Sequence, residues 1–156
     1  MRAFLFPGQG SQSVGMGKAL ADASPAALEL FQEVDDALSQ HLFRIMVEGP
    51  ESDLTLTENA QPAIMANALA TLRVMQREGG FSLSDKGDYV AGHSLGEYSA
   101  LCAVEAFDIT TTSRLLNALI SLANWPTRSH STLSATDSIS GEVSSRNATA
   151  TMRGTP

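Results

Sequence analysis

Residues 89–105 read Tyr-Val-Ala-Gly-His-Ser-Leu-Gly-Glu-Tyr-Ser-Ala-Leu-Cys-Ala-Val-Glu: a brief strand-like run, a tight turn and an Ala-rich helix in immediate succession. The turn, Gly92-His93-Ser94-Leu95-Gly96, fits the pattern G-x-S-x-G. In that pattern the glycines let the backbone fold sharply, and the strain at the central Ser exposes its hydroxyl. A helix that opens directly after Ser94 aims free N–H groups at the turn, where they can stabilise an oxyanion. Ser94 is therefore the candidate nucleophile. The small residues of the following helix allow close approach to a sheet.

Working outward from this turn, the rest of the chain alternates strands and helices. Arg2 to Phe6 is a short apolar run closed by Pro7-Gly8, the pattern of a buried strand feeding a loop. The PGQGSQSVGMG stretch after it is too Gly-rich for helix or strand and reads as a shaped loop. Ser24 with Pro25 predicts a capped helix start, and Leu28, Phe31, Val34 and Leu38 follow at helical spacing. A second helical piece over Leu42 to Val47 is stopped by Gly49-Pro50. Thr57 then caps a longer helix through Ala60, Ile64, Ala68, Leu72 and Met75 to Gly79-Gly80, its apolar face expected on a sheet. Beyond the turn, Asp108 caps one more helix through Leu115 and Leu116. The fold class implied is α/β with a mainly parallel sheet.

The pattern fails after residue 116. From Ser121 to Pro156, fourteen residues are Ser or Thr, and large apolar side chains occur only singly after Trp125. Such a stretch buries too little apolar surface to offset its ordering entropy, so residues 117–156 are expected to form a Ser/Thr-rich, disordered tail behind a folded unit at 1–116. Charge divides at the same place. Of the net charge of −7, the first 116 residues carry −8 and the remainder +1.

An acidic chain without a Lys/Arg cluster lacks the footprint that a phosphate backbone requires, which argues against nucleic acid. The apolar run Ala3 to Phe6 is far short of the roughly 7 to 15 residues of a signal-peptide core, and nothing approaches a spanning segment of about 20. The chain reads as cytoplasmic, or as resident in an organellar matrix if a transit peptide is missing, with no membrane contact. Cys102 stands alone, so no internal disulfide forms, and its setting in SALCAVEAF fits a packed helix face better than a reactive thiol. His41, His93 and His130 lie far apart, and no metal spacing is present. The Gly8 to Ser13 loop lacks the third glycine of a dinucleotide fingerprint, and Gly17-Lys18 is followed by Ala19, which rules out a P-loop. No cofactor is called for. His93 is adjacent to Ser94, but neighbours in such a turn point in different directions, so an orienting or packing role suits it better than that of general base.

Three segments occur in order: FLFPGQGSQSVGMG at residues 4–17, TENAQPAIM at 57–65 and AGHSLGEYSALCA at 91–103. Together they resemble the malonyl-CoA:acyl carrier protein transacylase family, whose blocks recur in the acyltransferase domains of polyketide and fatty acid synthases. The resemblance implies the N-terminal part of an α/β-hydrolase-like acyltransferase domain, with the small ferredoxin-like subdomain absent. It also implies a ping-pong reaction. A Ser takes the malonyl group from malonyl-CoA, and the phosphopantetheine thiol of acyl carrier protein then takes it from the Ser. Ser94 matches the family nucleophile. The backbone N–H groups of Gln9 and Leu95 match its oxyanion hole, and Gln61, with His93, falls at the acyl pocket.

The departures from the family lie toward the end. The family's carboxylate-clamping Arg has Leu119 in its place, and Arg114, a turn and a half earlier, points from another face. The family's later general-base His has no counterpart. Little turnover is expected without these groups, and a truncated fragment or a carrier-protein-binding module is the alternative reading. A serine esterase shares G-x-S-x-G but not the PGQGSQ block. An abrupt loss of pattern is what a shifted reading frame produces, and the nucleotide sequence tests that.

Overall fold

The computed structural model describes residues 1–124, so the expectations for His130 and for the tail from Trp125 onward lie outside the described residues. Two strands, β1 (Ala3–Phe6) and β2 (Tyr89–Gly92), pair in parallel with Ala3 opposite Tyr89 and Phe6 opposite Gly92. The crossover between them contains six helices: α1 (Lys18–Ala23), α2 (Pro25–Leu38), α3 (Leu42–Glu48), α4 (Glu51–Leu54), α5 (Thr57–Arg77) and α6 (Leu83–Lys86). After β2 come α7 (Gly96–Ala103) and α8 (Ile109–Ala123). The parallel α/β reading holds, in a mostly helical form. The short helices α1, α4 and α6 carry too few periodic residues to stand out in the sequence.

The core is formed chiefly by helices. α2 contributes Ala27, Leu30, Phe31 and Val34, α5 contributes Ala63, Ile64, Met65 and Ala66, and α8 contributes Leu116 and Ile120. Each large side chain buried in this way stabilises the fold by about 1.5 to 3 kcal/mol relative to exposure. The α2 stripe is rotated from the expected one: Leu28 is exposed, and the small residues Ala26 and Ala27 face inward beside Phe31. Phe31 stacks on Phe43, with ring centroids 4.4 Å apart. At the surface, Arg73 forms a two-pronged pair with Glu33, at 2.9 and 2.8 Å, tying α5 to α2.

Three expectations change. Ser24 does not cap α2; buried at its start, it donates to Glu78 at the end of α5. Thr57 is the first helical residue of α5 rather than its cap, which leaves its hydroxyl for another partner. α5 also packs mainly on α2, α7 and α8, and a groove lined by Leu5, Ile64 and Met75 runs between it and β1. The helix that rests on the sheet is α7, because its Gly, Ser and Ala residues allow the approach.

The boundary drawn at residue 116 also moves. α8 continues through Ala123, with Ile120 buried one turn beyond Leu116, so residues 117–123 belong to the packed unit. Its start follows the sequence: the Asp108 carboxylate accepts from the Thr111 N–H at 2.6 Å. That hydrogen bond holds the Asp108 carboxyl below its ordinary range.

Candidate active site

The turn after β2 is built by backbone contact. A Cβ at Gly96 would lie 2.4 Å from the Phe6 carbonyl oxygen, and one at Gly92 would lie 2.0 Å from the Gly96 carbonyl carbon. Only hydrogen fits at either place, so the end of β1, the end of β2 and the first turn of α7 converge on one point. The chain can reverse there only if the residue between takes an unusual conformation. Ser94 does so, with φ +56, in the left-handed region that a non-glycine residue rarely occupies. The result is an exposed hydroxyl at the head of a helix.

Hydrogen bonding around the turn is specific. His93 N–H donates to the Phe6 carbonyl at 3.3 Å, locking the turn to β1. Gly96 N–H donates to the His93 carbonyl, Glu97 N–H to Ser94 and Tyr98 N–H to Leu95, each at 3.0 to 3.1 Å. The first turn of α7 therefore does not offer a row of free donors, as the sequence suggested. Among the described residues, the Leu95 N–H donates no backbone hydrogen bond, and neither does the Gln9 N–H. These are the two donors that the family resemblance assigns to an oxyanion.

A cleft of about 350 Å3 opens beside Ser94. α5 supplies Thr57 and Gln61 to its wall, α7 supplies Glu97 and Tyr98, and α8 supplies Leu116, Leu119, Ile120 and Ala123. Gln9 reaches the rim, where its Nε2 donates to the Thr57 hydroxyl at 3.5 Å. Gln9, Gln61, Ser94 and Leu95 thus meet at one place although they come from three distant segments. His93 does not join them. Its ring lies against the PGQGSQ loop, where a Cβ at Gly8 would be 2.6 Å from Nδ1, and the residue is exposed.

The other candidates sit elsewhere. His41 is exposed at the start of α3. Arg114 donates to the Ala37 carbonyl of α2 at 3.4 Å, away from the cleft. Cys102 is buried beside Thr112, and burial pushes its thiol above the ordinary range, as the packed-face reading requires. Among the described residues no group of three or more His, Cys, Asp or Glu could hold a metal, and no helix is long and apolar enough to cross a membrane. The α8 wall was not recognised as part of the site in the sequence, although residues 116, 119, 120 and 123 have the i, i+3, i+4, i+7 spacing of one helix stripe.

The model of the acyl transferase domain family matches residues 3–121. The chain belongs to that family. The malonyl CoA-acyl carrier protein transacylase of Bacillus subtilis (strain 168) is 51% identical over 104 residues, covering 67% of this chain and 31% of the relative. The crystal structure of the acyl-carrier-protein-S-malonyltransferase from Bartonella henselae superposes with a TM-score of 0.75 at 55% identity, over 78% of this chain and 38% of that one. A malonyl-transacylase solved in complex with its type II polyketide synthase acyl carrier protein gives a TM-score of 0.71 at 41% identity, over 77% and 38%. The chain therefore spans about a third of the length of the relatives it matches. The match runs past residue 116, in accord with the course of α8.

Proposed function

We propose that this acyltransferase-family chain accepts an acyl group on Ser94 from a coenzyme A thioester and passes it to the phosphopantetheine thiol of an acyl carrier protein. Malonyl is the group named for the relatives. The observation that carries the reading is the strained Ser94, exposed in a cleft shared with Gln61 and Leu95. In this mechanism the Ser94 Oγ attacks the thioester carbonyl, its proton leaves to a base, and the carbonyl oxygen becomes an oxyanion. The Leu95 and Gln9 N–H groups receive that oxyanion. The tetrahedral adduct then collapses, expelling the coenzyme A thiolate and leaving a Ser94 ester. A donor of this kind is worth about 10²- to 10³-fold in rate.

No imidazole among the described residues lines the cleft. Among the described residues the Ser94 proton therefore has no imidazole to accept it, and slow acyl-enzyme formation is expected of them. That observation also favours a second reading, in which the chain is a catalytically inert carrier-protein-binding piece. Intact mass spectrometry after incubation with acyl-coenzyme A separates the two. An acyl adduct that disappears in Ser94→Ala supports the transferase reading, whereas identical masses for both chains would sink it.

A further inference from the structure

We infer that Ser11 and Gln12 are positioning residues for acyl transfer at Ser94: they fix the Gln9 peptide so that its N–H stays free at the cleft. The inference rests on the reading of Ser94 as acyl acceptor and of the Gln9 N–H as a donor to its oxyanion. Residues 7–17 belong to no strand or helix, so regular backbone pairing does not hold them. The loop is instead anchored at both ends. Near its start, a Cβ at Gly8 would lie 2.9 Å from the His93 carbonyl oxygen, so the glycine is seated directly on the elbow. Near its end, the Gly15 N–H donates to the Met46 carbonyl of α3 at 2.8 Å.

Between these anchors two of the loop's own side chains hold two consecutive peptide groups. The Ser11 hydroxyl donates to the Gly8 carbonyl at 3.1 Å, and the Gly10 N–H donates to Gln12 Oε1 at 2.9 Å. The Gly8 carbonyl and the Gln9 N–H belong to one peptide group, which is planar and trans, so the two point in opposite directions. Fixing the carbonyl with Ser11 therefore fixes the direction of the Gln9 N–H. A carbonyl that accepts a hydrogen bond also polarises its peptide, which makes the N–H a better donor. Gln12 takes up the next N–H, that of Gly10, whose φ of +105 turns the chain. Among the described residues the Gln9 N–H is left without a backbone partner, and the Gln9 side chain reaches Thr57 on the wall of the Ser94 cleft. An oxyanion donor must be held in place before the charge forms, and these two side chains supply that hold.

The test follows acylation of the full-length chain by malonyl-coenzyme A, by mass spectrometry, in Ser11→Ala, Ser11→Thr, Gln12→Met and Gln12→Glu. Met keeps the length of Gln12 without its acceptor oxygen, whereas Glu keeps the oxygen, and Thr keeps the hydroxyl that Ala lacks. Ser11→Ala and Gln12→Met should lower the rate at saturation about tenfold, part of the roughly 10²- to 10³-fold that one donor supplies, with the half-saturating concentration and the urea midpoint little changed. Ser11→Thr and Gln12→Glu should keep most of the parent rate. In parallel, the backbone order parameter of the Gln9 amide, from nuclear magnetic resonance relaxation, should fall from about 0.85 in the parent to below about 0.6 in Ser11→Ala and Gln12→Met. An order parameter equal in all five chains, unchanged acylation rates, or equal rate losses in the conservative and non-conservative variants would overturn the inference. If the parent chain gave no adduct, the acceptor reading of Ser94 would fail instead, and the Gln9 order parameter alone would decide whether Ser11 and Gln12 hold the loop.

Discussion

The two sides of the cleft are made by different kinds of constraint. On one side the elbow at residues 92–96 is held by backbone against backbone: Gly96 touches the Phe6 carbonyl and Gly92 touches Gly96, so each position admits a single residue type. On the other, α8 needs only apolar side chains at helical spacing, and many residues satisfy that. Leu119 stands 37% exposed on the stripe that faces the cleft, and the helix forms without burying it. A wall specified so loosely can change its chemistry without disturbing the fold that carries it.

The sharpest way to break this comparison is at Gly96. Gly96→Ala drives a methyl group into the Phe6 carbonyl oxygen, and because the obstacle is backbone it cannot rotate away. Overpacking of this kind should cost about 3 kcal/mol. A urea denaturation midpoint unchanged from that of the parent chain would show that β1 and the elbow do not meet as described.

Within α8 the same measurement should separate two leucines three residues apart. Leu116 is 2% exposed, and Leu116→Ala leaves a cavity costing about 2 to 3 kcal/mol. Leu119→Ala faces the open cleft and should change stability by no more than about 0.5 kcal/mol. Equal losses at both positions would mean that the cleft is closed and that Leu119 belongs to the core.

What could be read from the sequence divides along the same line. The elbow, β1, β2 and the start of α8 were legible because each rests on a local requirement: a glycine that must lack Cβ, a strand closed by Pro7-Gly8, an Asp108 that must cap. Ser94, Gln9, Leu95 and Gln61 could be brought to one place only by resemblance, since nothing local links residue 9 to residue 94. The α8 wall and Glu97 were missed because an apolar stripe looks the same whether it covers a core or lines a cleft. The direction of the His93 ring was not legible for a related reason. Sequence adjacency to Ser94 leaves the direction of the ring open, and it ends against Gly8.

A thiol sharpens the picture of the seam between the two sides. Cys102 on α7 is buried where α7 meets α8, beside Thr112, and desolvation raises its thiol above the ordinary range. Folded chain at neutral pH should therefore resist iodoacetamide, and alkylation should appear only as the chain unfolds in urea. Rapid labelling without denaturant would show α8 lifting from α7, making the cleft wall a mobile one.

The smallest effect concerns the anchor of that wall. Asp108 is exposed, and the Thr111 N–H holds its carboxyl below the ordinary value of 3.8. A folded-state value depressed in this way adds stability that is fully present above the unfolded value. It is lost as pH falls through the lower folded value, because protonation then removes the charge that accepts from Thr111. Thermal unfolding followed from pH 6 down to pH 3 should therefore show a modest fall in Tm at the acid end, with α8 losing helicity first. Asp108→Asn keeps an acceptor but not the charge, so it should begin slightly less stable at pH 6 and lose less on acidification. If the two chains ran parallel over the whole range, the charge at Asp108 would not matter to α8, and the cleft wall would be held by its buried stripe alone.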